Sequence, residues 1–136
     1  MPKFSQRSLS NLATCHPDLQ VLFNEVIKYF DFTITEGHRN RADQEKAFSE
    51  GKSKLHYPNG KHNAFPSNAV DAYPYPIDFN DSSRIYYFSG FVMGIAQKLK
   101  DEGKISHSIR YGGDWNMNNL VKDESFQDTG HFELII

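Results

Sequence analysis

The strongest constraint on the fold is a repeated change of hydrophobic period along the chain. From Pro17 to Phe30, the apolar residues Leu19, Leu22, Phe23, Val26, Ile27 and Phe30 fall at helical spacing. Immediately afterwards, Asp31 to Glu36 sets Phe32 and Ile34 against Thr33 and Thr35, the period of a half-buried strand. A second helix is expected from Asn40, a good N-cap, to just before Gly51. The third and longest is expected over roughly Ser83 to Lys100, with Ile85, Phe88, Val92, Ile95 and Leu99 along one side. Ala69 to Tyr73, Ile109 to Tyr111 and His131 to Ile135 read as further short strands. Helices and strands mixed in this way, without βαβ regularity, predict an α+β fold.

The chain of 136 residues suits one domain, 1–136. Its 38% hydrophobic and 14% aromatic content excludes a disordered polymer. A formal net charge of -2 gives no general grip on nucleic acid or anionic lipid, so neither is expected as a partner. Cys15 is the one cysteine, which rules out an internal disulfide framework and leaves packing, or a metal, to supply stability. It reads as a small, inert residue. Neither a signal-peptide apolar region nor a run of about 18 apolar residues is present, so synthesis in the cytoplasm without stable membrane insertion is expected. Between Lys52 and Asn68 the chain is rich in Gly, Ser, Asn, Pro and Lys and reads as a long functional loop.

Six histidines are available for chemistry. His16 at a helix entrance and His107 between two serines read as solvated, and His56 reads as free within the long loop. Asp71 differs, because it lies in the middle of an apolar strand. A carboxylate there faces a large desolvation cost unless a cation or hydrogen bonds hold it. The segment Asn63 to Asn68 can return His62 to its side. In the last strand, alternation puts His131 and Glu133 on one face, with Phe132 and Leu134 on the other. Two neutral imidazoles and one carboxylate suit zinc, leaving a fourth position for water. Asp128, three residues before His131 across a turn containing Gly130, is a candidate general base, or else an ordinary turn aspartate. Arg39 is suited to hold a carboxylate or a developing oxyanion, or else simply pairs with Glu36 or Asp43.

Lys61-His62, then Pro66-Ser-Asn-Ala-Val-Asp71, then Asp128-Thr-Gly-His-Phe-Glu-Leu134 follow one another in order. Thr35-Glu-Gly-His-Arg39 and Arg110-Tyr-Gly-Gly-Asp-Trp115 are two further landmarks. In these motifs the chain resembles the M15 peptidases, the D-alanyl-D-alanine carboxypeptidase and L-alanyl-D-glutamate peptidase group that includes many phage endolysins. The resemblance runs from Phe32 to Ile135 and implies a small α+β fold shared with Hedgehog-type signalling domains, a short antiparallel sheet packed with about three helices. It implies His62, Asp71 and His131 as ligands of one zinc ion, Asp128 as the base and Arg39 as the group that binds the polarised carbonyl. Trp115, Asp114 and His38 would support the pocket, and Glu133 would brace a ligand.

The activity implied is that of a peptidoglycan endopeptidase cutting the L-alanyl-D-glutamate bond of the stem peptide during host lysis. The chain is expected to act as a monomer that reaches the wall through a holin-type pore. A D-alanyl-D-alanine carboxypeptidase or dipeptidase is the first alternative, and an inactive zinc-stabilised wall-binding module the second. Two departures from the commonest family pattern stand out. The aspartate follows the histidine by nine residues instead of seven, and Gly60 stands where that pattern has serine.

Overall fold

The computed structural model describes residues 2–124 and 126–136. In chain order the elements are α1 (Gln6–Leu12), α2 (Pro17–Val26), β1 (Phe32–Glu36), α3 (Arg41–Ser49), β2 (Ala69–Pro74), α4 (Ser82–Asp101), β3 (Ile109–Tyr111) and β4 (His131–Leu134). The strands form one antiparallel sheet in the order β1-β2-β4-β3. The α+β class is as expected, with four helices among the described residues where about three were anticipated. Asn40 caps α3 by accepting from the Asp43 amide, and Gly51 follows that helix with φ 75°, the left-handed conformation glycine adopts freely.

The helix missing from the sequence reading, α1, lacks an apolar stripe because its inward face does polar work. Ser8 is fully buried, and its Oγ accepts from the Ile34 amide at 3.0 Å. Asn11 donates its side-chain amide to the Ile34 carbonyl at 2.8 Å. At Ile34 the free edge of β1 is thereby satisfied by side chains, which hinders pairing with another strand there.

Strand alternation divides the sheet into two functional faces. Phe32, Ile34, Val70, Ala72, Ile109, Tyr111, Phe132 and Leu134 point to one side and pack with Leu19, Leu22, Phe23 and Val26 of α2 and Phe88 and Val92 of α4. Phe23 lies 5.7 Å from Phe132 and Phe32 lies 5.2 Å from Phe88, centroid to centroid. Each of these rings is at most 2% exposed. Complete burial of one such side chain contributes about 2 kcal/mol. The opposite face carries Asp71, His131, Glu133 and Arg110, whose register pairs Asp71 with His131 and Arg110 with Glu133.

An irregularity in β1 brings one more residue to that polar face. Ile34 pairs with Ala72, but Glu36 pairs with Asp71, so Thr35 is the extra residue of a bulge. Without the bulge, Glu36 would point with Ile34 into the core. With it, Glu36 stands beside the other acids and bases.

The loop after α3 is anchored. Ser67 donates its amide to Thr14 and accepts from the His16 amide, while Asn68 donates to the Lys61 carbonyl at 3.1 Å. The last bond closes 61–68 into a lariat, so the longer His62–Asp71 spacing adds residues inside a loop whose ends are fixed. His56 is not free within it, because its ring lies 3.7 Å from that of Phe48 and pairs with Glu45. Cys15 is buried, and burial pushes its thiol up to about 12, as suits an inert residue.

Candidate active site

His62, Asp71 and His131 meet on the polar face of the sheet, each offering one ligand atom within 4.8 Å of the others. His62 Nε2 is 3.2 Å and His131 Nδ1 is 3.3 Å from the same oxygen, Asp71 Oδ1. His62 Nδ1 lies 2.7 Å from the Gly37 carbonyl, which can only accept, so the ring proton belongs on Nδ1 and Nε2 keeps its lone pair. His131 Nε2 lies 2.8 Å from Glu133 Oε1, which fixes its proton in the same way and turns the Nδ1 lone pair inward. That Nδ1 is buried and misaligned for any hydrogen bond.

Two lone pairs and a carboxylate oxygen this close repel one another unless a cation lies among them. The polar groups present therefore fit a metal ion, and the donor set of two imidazoles and one carboxylate suits a borderline one. In its absence a proton takes over. Burial opposes a charge on His131, but the carboxylates of Asp71 and Glu133 on either side outweigh it and push the ring up to about 10. Burial likewise works against the Asp71 carboxylate, yet the two imidazoles hold it far below the usual carboxylate range.

A second cluster of the same composition gives a control. His16, Asp18 and His107 also bring potential ligand atoms within 4.8 Å of one another. His16 Nδ1, however, accepts the Asp18 amide at 3.0 Å to cap α2, which places its proton on the outward Nε2 and leaves no free lone pair. Asp18 Oδ2 is engaged by the Ser106 amide, the His107 amide and the His107 ring. The two rings meet edge to face at 5.1 Å. His16 and His107 are thus partly buried members of a structural network, and the solvated reading of both is corrected.

Asp128 stands beside the first cluster and outside its ligand trio, with Oδ2 3.8 Å from His131 Nδ1. Burial and the Asp71 charge raise its carboxyl to about 6, against the pull of His131, His62 and Arg39. Its position depends on Gly112, whose amide donates to His131 and whose carbonyl accepts from the Asp128 amide at 2.9 Å. A Cβ on Gly112 would stand 2.2 Å from the Asp128 carbonyl oxygen, so only glycine permits this approach.

Arg39 is 11% exposed in its side chain and pairs with Glu36, as one sequence reading anticipated, though not at the surface. Its Nη2 also faces Asp71 Oδ2 at 3.8 Å. Trp115 lies with its ring 5.5 Å from that of His131 and donates Nε1–H to the Phe126 carbonyl. Asp114 is turned away to accept from the Asn118 and Asn119 amides. His38 packs edge to face on Phe65 beside the Ala64 carbonyl and does not line the cleft. Glu133, besides orienting His131, is paired with Arg110 at 2.9 Å.

Gln44 was missed by the sequence reading. It is wholly buried and accepts from Arg39 Nη1 and Asn63 while donating to Ser53 and to the Leu55 carbonyl. It therefore ties the arginine, the His62 loop and the cleft wall together. Its signal was the three-residue spacing with Ala47, the other buried side chain of α3. Gln44 also explains Gly60, where a Cβ would come 2.7 Å from both Gln44 Oε1 and Asn63 Oδ1. A serine there would collide with this network.

The cleft above these groups has a volume of about 70 Å³ and is lined by Arg39, Gln44, His62, Asp128, His131 and Glu133 together with Lys52 to Leu55. A larger cavity of about 630 Å³, between α4 and residues 108–121, contains none of the clustered histidines. The small cleft is the one that gathers the paired histidines, Asp128 and Arg39. With a His–Asp–His centre able to take a metal, an adjacent carboxylate and an arginine, the chain has the equipment of a small α+β hydrolase.

Comparison with known proteins identifies the class further. The family model described as phage L-alanyl-D-glutamate peptidase matches residues 1–135. The L-alanyl-D-glutamate peptidase of Escherichia phage T5 is 30% identical over 142 residues, covering 98% of each chain. Among solved structures, the Serratia marcescens L-Ala D-Glu endopeptidase ChiX superposes with a TM-score of 0.72 at 23% identity, over 97% of this chain and 89% of that one. The chain belongs to the phage L-alanyl-D-glutamate peptidase family.

Proposed function

We propose that this chain is a zinc-dependent peptidoglycan endopeptidase that cuts the L-alanyl-D-glutamate bond of the stem peptide, with residues 1–136 acting as one catalytic domain. The observation that carries the reading is the inward-facing pair of lone pairs on His62 and His131 around Asp71 Oδ1. His62, Asp71 and His131 would hold one zinc ion. When bound, that ion supplies Lewis acidity, polarising the scissile carbonyl and acidifying water.

The remaining steps belong to the chain. Asp128, close to His131 but not among the ligands, accepts a proton from the attacking water on its carboxylate and returns it to the departing amine. Arg39, held by Glu36 and Gln44, offers its guanidinium to the charge that develops on the carbonyl oxygen. Glu133 and Gly37 keep both imidazoles in the metal-binding tautomer. Trp115 packs its ring beside that of His131.

The setting is host lysis by a phage, with a monomer reaching the wall after release through a holin-type pore. No helix among the described residues is long and apolar enough to cross a membrane. Mass spectrometry of fragments released from purified sacculi, with zinc and with chelator, tests the reading. A new amino terminus on D-glutamate is the expected product. Free D-alanine or its dipeptide would move the activity to a carboxypeptidase, and no release from zinc-loaded protein would indicate a binding module.

A further inference from the structure

The cations around the cleft are not equivalent. Arg39 is paired with Glu36, Arg110 with Glu133 and Lys52 with Glu50. Lys54 and Lys61 also line the cleft, and neither has a carboxylate within 4.0 Å among the described residues. Lys54 rests its ammonium 4.6 Å from the centre of the Phe126 ring, a contact that holds it over the opening without neutralising it. Lys61 is half-buried, and its ammonium meets only the Leu134 carbonyl at 3.5 Å, the outer limit for a hydrogen bond. A half-buried ammonium with so little compensation is poised for an anion.

The acids of the same cleft leave room for one. The lining acids are Glu133, engaged by Arg110 and His131, and Asp128, whose Oδ2 faces His131 Nδ1 at 3.8 Å, while Asp71 is held by the two imidazoles and Arg39. None of the three pairs with either lysine. Two uncommitted positive charges therefore stand in the same cleft as Asp128 and His131.

We infer that Lys54 and Lys61 form an anion subsite for the carboxylate that the glutamyl residue of the substrate retains beside the scissile bond. The inference rests on the proposed endopeptidase function. A glutamyl residue has two carboxyl groups, and the continuing peptide uses one. The other remains ionised within a few bonds of the nitrogen released on cleavage. Its recognition separates an acidic stem peptide from one in which the same group is a neutral amide. Lys54 and Lys61 are binding residues in this scheme and take no part in proton transfer.

The test uses two stem peptides that differ only in whether this group is carboxylate or carboxamide. Each is presented to the zinc-supplied full chain and to Lys54→Met, Lys61→Met and the double variant. Wild-type protein is expected to favour the carboxylate peptide in kcat/KM by about tenfold or more, as befits a charge-assisted contact. The double variant should lose that preference, chiefly through KM on the acidic peptide, with a much smaller change on the amide peptide. Lys61→Arg should restore much of it. Unchanged zinc content and melting temperature in the variants exclude a folding defect.

Equal losses on both peptides, or no loss on either, would overturn the subsite. Wild-type protein that cleaves both peptides equally well would also overturn it, leaving the endopeptidase function standing. Wild-type protein that cleaves neither would remove the proposed function and this inference together.

Discussion

Glu133 accepts the Nε2–H of His131 at 2.8 Å and so turns the Nδ1 of that ring toward Asp71. The two residues belong to one strand, two positions apart, where the pleat sets them on the same face. The same carboxylate is fixed by Arg110 from β3. The tautomer of the histidine is thus set by the sheet itself.

Replacing Glu133 with Gln should weaken zinc binding by about 10- to 100-fold, because the imidazole loses both orientation and basicity. Competition with a chromogenic chelator measures the change. Affinity equal to wild type would show that the Glu133 contact is incidental.

Alanine at His62, Asp71 or His131 should abolish zinc retention and wall cleavage together. Asp128→Asn should retain zinc and lose at least about 100-fold in kcat, the usual size of a general-base contribution. Metal analysis beside turnover separates the two outcomes, and an active Asp128→Asn protein would disprove the base assignment. The proposed zinc ion, bound only by the folded form, would also stabilise it, so a chelator should lower the melting temperature as well as stop turnover.

The network around Asp18 should make stability depend on acid pH. Burial alone would raise the Asp18 carboxyl, but hydrogen bonds from the His107 ring and from the Ser106 and His107 amides outweigh it and hold it below its ordinary value. A carboxyl lowered in the folded state stabilises the fold above its unfolded value, about 3.9, and that contribution is lost as pH falls through the folded value. Asp18→Asn should therefore destabilise by about 2 kcal/mol at neutral pH, and the gap to wild type should narrow below about pH 4. Urea unfolding across that range provides the measurement, and a constant gap would argue against the linkage.

Gly112→Ala should cost about 1–3 kcal/mol of stability, since the new methyl meets backbone that cannot rotate away. Because the displaced backbone carries Asp128, turnover should fall more than zinc affinity. Unfolding and kinetic measurements on one preparation test both parts.

Much of this was legible in the sequence for a specific physical reason. An aspartate between Val70 and Ala72 is hard to explain without partners, and the period-two alternation of β4 shows which residues share its face. Period alone found α2 and α4, whose buried sides are apolar. It could not find α1, whose Ser8 and Asn11 serve a strand edge instead of a hydrophobic core. The roles of Gln44, Asp18 and His107 depend on hydrogen bonds between distant segments. Spacing with Ala47 marks Gln44 as inward-facing, but local pattern does not name the partners of any of the three. The motif order supplied the family, while the reason for Gly60 emerged only from the side chains crowding it.

The division of the sheet into two faces makes the chemistry conditional on correct pairing. A slip of one residue in β4 would bring Phe132 to the place of His131 and turn the histidine toward the helices. A mispaired chain is therefore also a chemically silent one. During synthesis the same rule acts in time, because His62 and Asp71 must wait for residue 131 before the centre can close. For a protein whose proposed target is the wall that shelters the cell producing it, cleavage would then begin only in chains whose strands have paired in register.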